Sequence, residues 1–134
     1  MSNLEPKNQT RLYGLNNYFN ELARLYKKNI YPNKILFSGQ KGIGKSTLAF
    51  HFINYVLSLD EKDKYDNQNF IINIESSTFK TIQNKSNPNL TIIDVNNDKT
   101  SIDINQIRDL IIILNKSSFN NKPRFVLIDN IELL

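Results

Sequence analysis

Three of the four glycines in the chain fall within six residues, Gly39 to Gly44, and their spacing leaves few folds open. Gly39-Gln40-Lys41-Gly42-Ile43-Gly44-Lys45-Ser46 reads G-x-x-x-x-G-K-S without a mismatch. That pattern is a phosphate-binding loop joining a strand to the first turn of a helix. Both flanks suit it: the apolar run Ile35-Leu36-Phe37 precedes the loop, and a helical pattern from Lys45 to Leu59 follows. Backbone N–H groups in such a loop converge on phosphate oxygens. The main chain comes that close only where side chains are missing, so Gly39, Gly42 and Gly44 are the permissive positions. The first helical turn adds unpaired N–H groups and a positive dipole end, which favour a β-phosphate. Lys45 is expected to reach the β- and γ-phosphates as a point charge, and the Ser46 hydroxyl to ligate Mg²⁺. Gln40, Lys41, Ile43 and Thr47 complete the nucleotide-binding set, with the Lys41 side chain expected in solvent.

Length and composition narrow the surroundings of this loop. At 134 residues with 40% hydrophobic content, the chain reads as one domain, large enough for a real core but short for a complete nucleotide-binding fold. No apolar run is long enough to cross a membrane and no charged-then-apolar leader opens the chain, so a cytoplasmic protein is expected. There is no cysteine, which excludes disulfides and thiolate metal sites, and the single His51 cannot build a zinc site alone. His51 is expected to be an ordinary helix residue. A balance of 17 basic to 13 acidic residues permits contact with a polyanion without demanding it. Lys27-Lys28 is the nearest approach to a basic patch, and the mixed-sign run from Asp60 to Asp66 reads as a solvated loop.

Along the chain, the first ten residues are polar, contain Pro6, and are expected to be poorly ordered. Leu15, Tyr18, Phe19, Leu22, Leu25 and Tyr26 recur at three and four, predicting an amphipathic helix to Lys28. In the helix after the loop, Leu48, Phe52, Ile53, Val56 and Leu59 are expected in the core. Residues 60–89 are the least legible: Phe70-Ile71-Ile72-Asn73-Ile74 suits a strand or a short helix, and Asn87-Pro88-Asn89 a turn. A strand is predicted from Leu90 to Val95. Asp103 and Gln106 resemble a capping box, behind which Ile104, Ile107, Leu110, Ile111 and Leu114 keep helical spacing to about Asn115. Phe125-Val126-Leu127-Ile128-Asp129 is four apolar residues running into an acid. Continuous apolar strands separated by helices predict a parallel sheet with helices on both faces. An acid at the carboxyl end of such a strand lies on the rim where ligands collect, so Asp129 is expected either to hold Mg²⁺ through water or simply to cap a turn.

Leu12-Tyr13-Gly14, Tyr31-Pro32-Asn33-Lys34-Ile35-Leu36-Phe37-Ser38-Gly39, the phosphate loop, Ser86-Asn87-Pro88-Asn89-Leu90, Asp103-Ile104-Asn105-Gln106-Ile107-Arg108 and the stretch Phe125 to Leu134 follow one another in an order that resembles a known family. It is the AAA+ domain of the bacterial DNA polymerase III clamp loader, in particular its delta prime subunit, and the resemblance covers nearly the whole chain. It implies a P-loop NTPase of AAA+ type, a three-layer α/β/α fold with a parallel sheet, incomplete at its C-terminus, that binds ATP and Mg²⁺. It also implies a place in the polymerase III holoenzyme during DNA replication, with other clamp-loader subunits, the sliding clamp and primed DNA as partners and no membrane. Tyr13 would lie near the adenine base.

Three departures shape what the resemblance implies. AAA+ ATPases usually place Glu after the metal-binding Asp to activate the attacking water, whereas this chain has Asn130. An amide can orient water but cannot take its proton, so slow or absent hydrolysis is expected. Glu132 is expected to be structural. The four-cysteine zinc module of related subunits is missing, so no zinc is expected. The sequence stops before the family's sensor strand, arginine finger, lid and collar, which predicts a gap between the strand of Ile35-Leu36-Phe37 and that of Asp129. Two other readings stay open: another AAA+ ATPase, such as a helicase loader or initiator, and a small nucleotide kinase, in which those two strands would be neighbours.

Overall fold

The computed structural model describes residues 6–28, 34–39, 45–94, 108–109, 112 and 122–129. Two compact units make up the chain, Met1–Tyr31 with Gly44–Asn87 and Pro32–Ile43 with Pro88–Leu134.

The first unit is helical. Its amphipathic spacing gives α1, Asn16–Lys27, whose buried side is marked by Phe19 and Ala23. Gly14, at φ 77°, turns the chain into it, a conformation that favours a residue without Cβ. The second helix, α2, Lys45–Leu57, is apolar nearly all round. Every residue from Ala49 to Ser58 is buried, as expected of a helix enclosed by its surroundings. Leu59, expected in the core, is instead 43% exposed, because it lies beyond the last turn of the helix. Phe19 is the hub where α1 meets α2, with its ring centroid 5.6 Å from Tyr55, 5.2 Å from Tyr65, 5.5 Å from Phe70 and 6.5 Å from Phe52.

The poorly legible stretch is neither the strand nor the helix considered for Phe70 to Ile74. Phe70 adopts φ 58°, and Ile71 makes isolated antiparallel bridges to Asp66 and Arg11. A third helix follows, α3, Ser77–Gln83, which the sequence did not announce. Its N-terminus is satisfied from a distance. The Glu61 carboxylate accepts from the Ser76 hydroxyl at 2.9 Å, the Ser77 N–H at 2.8 Å, the Thr78 N–H and the Thr78 hydroxyl. Part of the run read as a solvated loop is thus structural, and Tyr65 within it is buried. Within the N-terminal ten residues, Pro6–Asn8 form a 3-10 turn, and the Gln83 amide donates to Asn8 Oδ1 at 2.9 Å.

The second unit is built on a parallel sheet of three strands, β1, Lys34–Gly39, β2, Leu90–Asp94, and β3, Arg124–Asp129, in the order β1-β3-β2. The central strand is buried at Phe125, Val126 and Leu127 in succession, the signature of a strand covered on both faces. Asn89 locks the starts of β2 and β3: its carbonyl accepts from the Phe125 N–H at 2.7 Å, and its side-chain amide donates to the carbonyl of Pro123 at 3.1 Å. Of the helix predicted from Asp103, only Arg108, Asp109 and Ile112 are among the described residues. All three are helical, and Ile112, off the predicted apolar stripe, is exposed. The expected gap in the sheet is absent. β1 pairs directly with β3 over six residues, since backbone groups of two apolar strands need partners and find them in each other.

Candidate nucleotide-binding site

β1 ends at Gly39, the first glycine of the phosphate-loop sequence, and α2 begins at Lys45, its lysine. A strand therefore ends where the pattern begins, and a helix starts at its lysine. Gln40, Lys41, Gly42, Ile43 and Gly44 lie outside the described residues, as does Asn130. Ser46 and Thr47 occupy the first turn of α2 and are half-buried, in contrast to the enclosed stretch that follows.

In the sheet, Gly39 is paired in register with Asp129, and Asp129 with Asp94. All three strands are parallel, so these residues form one row across the carboxyl ends, on strands about 4.8 Å apart. Ligands of open α/β sheets collect at that rim. Asp94, in the same row as Asp129, closes a run, Leu90 to Ile93, that is apolar but for Thr91 and was not singled out from sequence. Among the described residues, no group of three or more His, Cys, Asp or Glu side chains could hold a metal ion. Nor is any helix among them long and apolar enough to cross a membrane.

The segment before α1 carries the predicted base contact. Leu12 is buried and its N–H donates to the Phe70 carbonyl at 3.1 Å. Tyr13, the next residue, is 75% exposed.

His51 is the residue whose role the sequence least disclosed. It is fully buried, with Nε2 2.8 Å from the Gln9 carbonyl and Nδ1 2.7 Å from the Tyr65 hydroxyl. A carbonyl only accepts, so Nε2 carries the proton; in the neutral ring Nδ1 then accepts from Tyr65. Burial pushes the imidazole pKa down to about 4, with the Gln9 contact opposing the shift. Burial, aided by the charge of Asp66, pushes the Tyr65 phenol up. The relay is neutral and fixed in one tautomer at physiological pH. A lone His in an otherwise apolar helix was the available signal.

The fold and the rim define a parallel α/β protein with a phosphate-loop sequence between strand and helix. The chain belongs to the DNA polymerase III, delta subunit family, which matches it over residues 14–134. No curated protein and no solved structure matches the chain significantly.

Proposed function

We propose that the chain is a delta-prime-like, ATP-binding subunit of the DNA polymerase III clamp loader, the assembly that opens a ring-shaped sliding clamp and places it on primed DNA. Family membership supports the replication role. The observation that supports the nucleotide role is the placement of the phosphate-loop sequence, which starts at the end of β1 and reaches its lysine at the start of α2. Gly39 to Thr47 hold the phosphates, with Lys45 as the cation on the β- and γ-phosphates. Ser46 directly, and Asp129 through water, are the residues that fit Mg²⁺, which would neutralise phosphate charge. Tyr13 meets the base. Asn130 in place of a general base makes hydrolysis slow, so the nucleotide acts mainly as a structural element within a cytoplasmic hetero-oligomer.

Isothermal titration of Mg²⁺-ATP into the chain and into Lys45→Ala, with ADP followed in the same samples, tests this reading. Lys45-dependent binding without ADP release is expected. Steady ADP release would point to an active AAA+ ATPase, and failure of a folded chain to bind would refute the nucleotide site.

Direct pairing of β1 with β3 also favours a second reading, a small nucleotide kinase, in which these strands are neighbours. Phosphate transfer from ATP to an added nucleoside monophosphate would establish it. The family match, running through both strands, weighs against it.

A further inference from the structure

A groove of about 420 Å³ opens on the surface of the helical unit, lined by Thr10, Lys64, Asp66 and the run Ile71 to Ile74. Ile71 lies at its middle, in antiparallel bridges with Arg11 on one side and Asp66 on the other. The Ile72 N–H donates to the Thr10 carbonyl at 2.8 Å and the Leu12 N–H to the Phe70 carbonyl at 3.1 Å. Those bonds flank the Arg11–Ile71 pair, which itself makes none, the position at which opposed side chains stand closest. Asp66 and Ile71 exchange both backbone bonds, at 3.0 and 3.1 Å. Residues directly opposite across a ladder share a face, so Arg11, Ile71 and Asp66 leave the backbone on one side.

The polar groups around this face are unequally committed. The Asp66 carboxylate already accepts from the Gln68 N–H at 3.0 Å, the Asn69 N–H at 3.1 Å and the Asn69 side-chain amide at 2.9 Å. Glu75 is paired with Lys80 at 3.5 Å. Asn73 Oδ1 accepts from the Glu75 N–H at 2.9 Å, which leaves the donors of its amide for a ligand. Arg11 and Lys64 are both exposed, and among the described residues neither meets an acid. Beside these cations lie half-buried Ile71 and Ile74, which is 59% exposed. Aliphatic surface with free cations and N–H donors, and with its one lining acid engaged, complements aliphatic side chains flanked by carboxylates. The groove is open to solvent, whereas a site for a small molecule encloses most of its ligand. An extended chain lying along it is the better fit.

We propose that this groove is a docking site for an extended, acidic and aliphatic peptide segment of a partner protein, whose aliphatic side chains cover Ile71 and Ile74 while its carboxylates meet Arg11 and Lys64. The site lies wholly within the helical unit and does not depend on the nucleotide reading.

The test titrates the ¹⁵N-labelled chain with the capped peptide Ser-Glu-Ile-Glu-Ile-Ser and follows its amide resonances by NMR. A second peptide carries Lys in place of both Glu, and a third carries Gly in place of both Ile. Saturable shifts at Thr10, Arg11, Lys64, Ile71 and Ile74 are expected with the first peptide, at a dissociation constant of about 1 mM or tighter, the scale that so small a contact supports. The other two peptides are expected to bind at least about tenfold more weakly. Ile74→Ser should weaken the first peptide about fivefold, from lost apolar cover. The double variant Arg11→Glu, Lys64→Glu should lose about tenfold for the first peptide and gain binding of the Lys peptide, a swap that general loosening of the fold does not produce. Circular dichroism checks folding of each variant; should the double variant not fold, Lys64→Glu alone is put to the same exchange of peptides. Absence of saturable shifts at these amides in the folded wild-type chain overturns the inference, as does equal binding of the Glu and Lys peptides. Shifts of the same size and affinity from 4-methylpentanoate alone would mark a site for small carboxylates and overturn the peptide assignment.

Discussion

Acidification is expected to weaken the fold through His51 before most carboxylates titrate. The imidazole has an ordinary pKa of 6.5 in the unfolded chain and about 4 in the folded one. Between those values the unfolded state binds the extra proton, so stability rises with pH there. The contribution is fully present above about pH 6.5 and is lost as pH falls toward 4. Linkage puts the loss at about 0.8 kcal/mol at pH 6 and about 2 kcal/mol at pH 5, approaching about 3 kcal/mol once both states are protonated. Carboxylates with lowered pKa values, such as Asp66 held by Asn69, add their own losses at lower pH, so the difference from a variant without the imidazole is the informative quantity. Urea unfolding of the wild-type chain and of His51→Gln at several pH values between 7.5 and 5 supplies it. The stability gap between the two proteins should shift by about 2 kcal/mol against the wild type across that range. Parallel curves would show that the folded imidazole titrates normally, and the buried, single-tautomer relay would be wrong.

Other perturbations test the packing on which the site stands. Glu61→Ala removes the carboxylate that serves the start of α3 and should cost about 2 kcal/mol in urea unfolding, with helical circular dichroism slightly reduced. Phe19→Ala, which empties the centre of the aromatic cluster, should cost about 3–5 kcal/mol; a loss under about 1 kcal/mol would mean that α1 is not held by that ring. Asn54 donates to the Phe50 carbonyl at 2.8 Å, but its buried Oδ1 meets no partner among the described residues. Asn54→Leu should therefore be neutral or stabilise by about 1 kcal/mol, and a clear destabilisation would mean that Oδ1 has a partner after all.

The elements that sequence reasoning placed well are those whose signal is local. Ile35 to Phe37 and Phe125 to Ile128 are continuous apolar runs, Leu90 to Ile93 is one broken by Thr91, and each lies in a strand of the parallel sheet. The spacing of Leu15 to Tyr26 placed α1 to within a residue at either end. By contrast, α3 has only seven residues and takes its capping carboxylate from Glu61, 15 positions before Ser76, so no short-range pattern marks it. His51 likewise draws its meaning from Tyr65, 14 residues later, and from Gln9, 42 residues earlier. Strand adjacency is nonlocal in the same way: nothing within Ile35 to Gly39 or Phe125 to Asp129 says that the two runs pair.

That division bears on how the site is built. The phosphate-loop pattern is a local signal because its chemistry is local, a strand end, glycines, a lysine and a helix start within eight residues. What steadies such a loop is not local. α2 is buried without interruption from Ala49 to Ser58, while Ser46, Thr47 and Leu48 at its beginning are only half-buried. The helix is thus anchored along its length and least covered where a phosphate would lie, so its dipole and first-turn N–H groups are set in place before any ligand arrives. Asp129, the acid of the proposed site, is supported in an equivalent way, on the central strand of its sheet, whose Phe125 to Leu127 are buried. Each of these elements is thus fixed by the core of its own unit, which is what the proposed nucleotide reading asks of it.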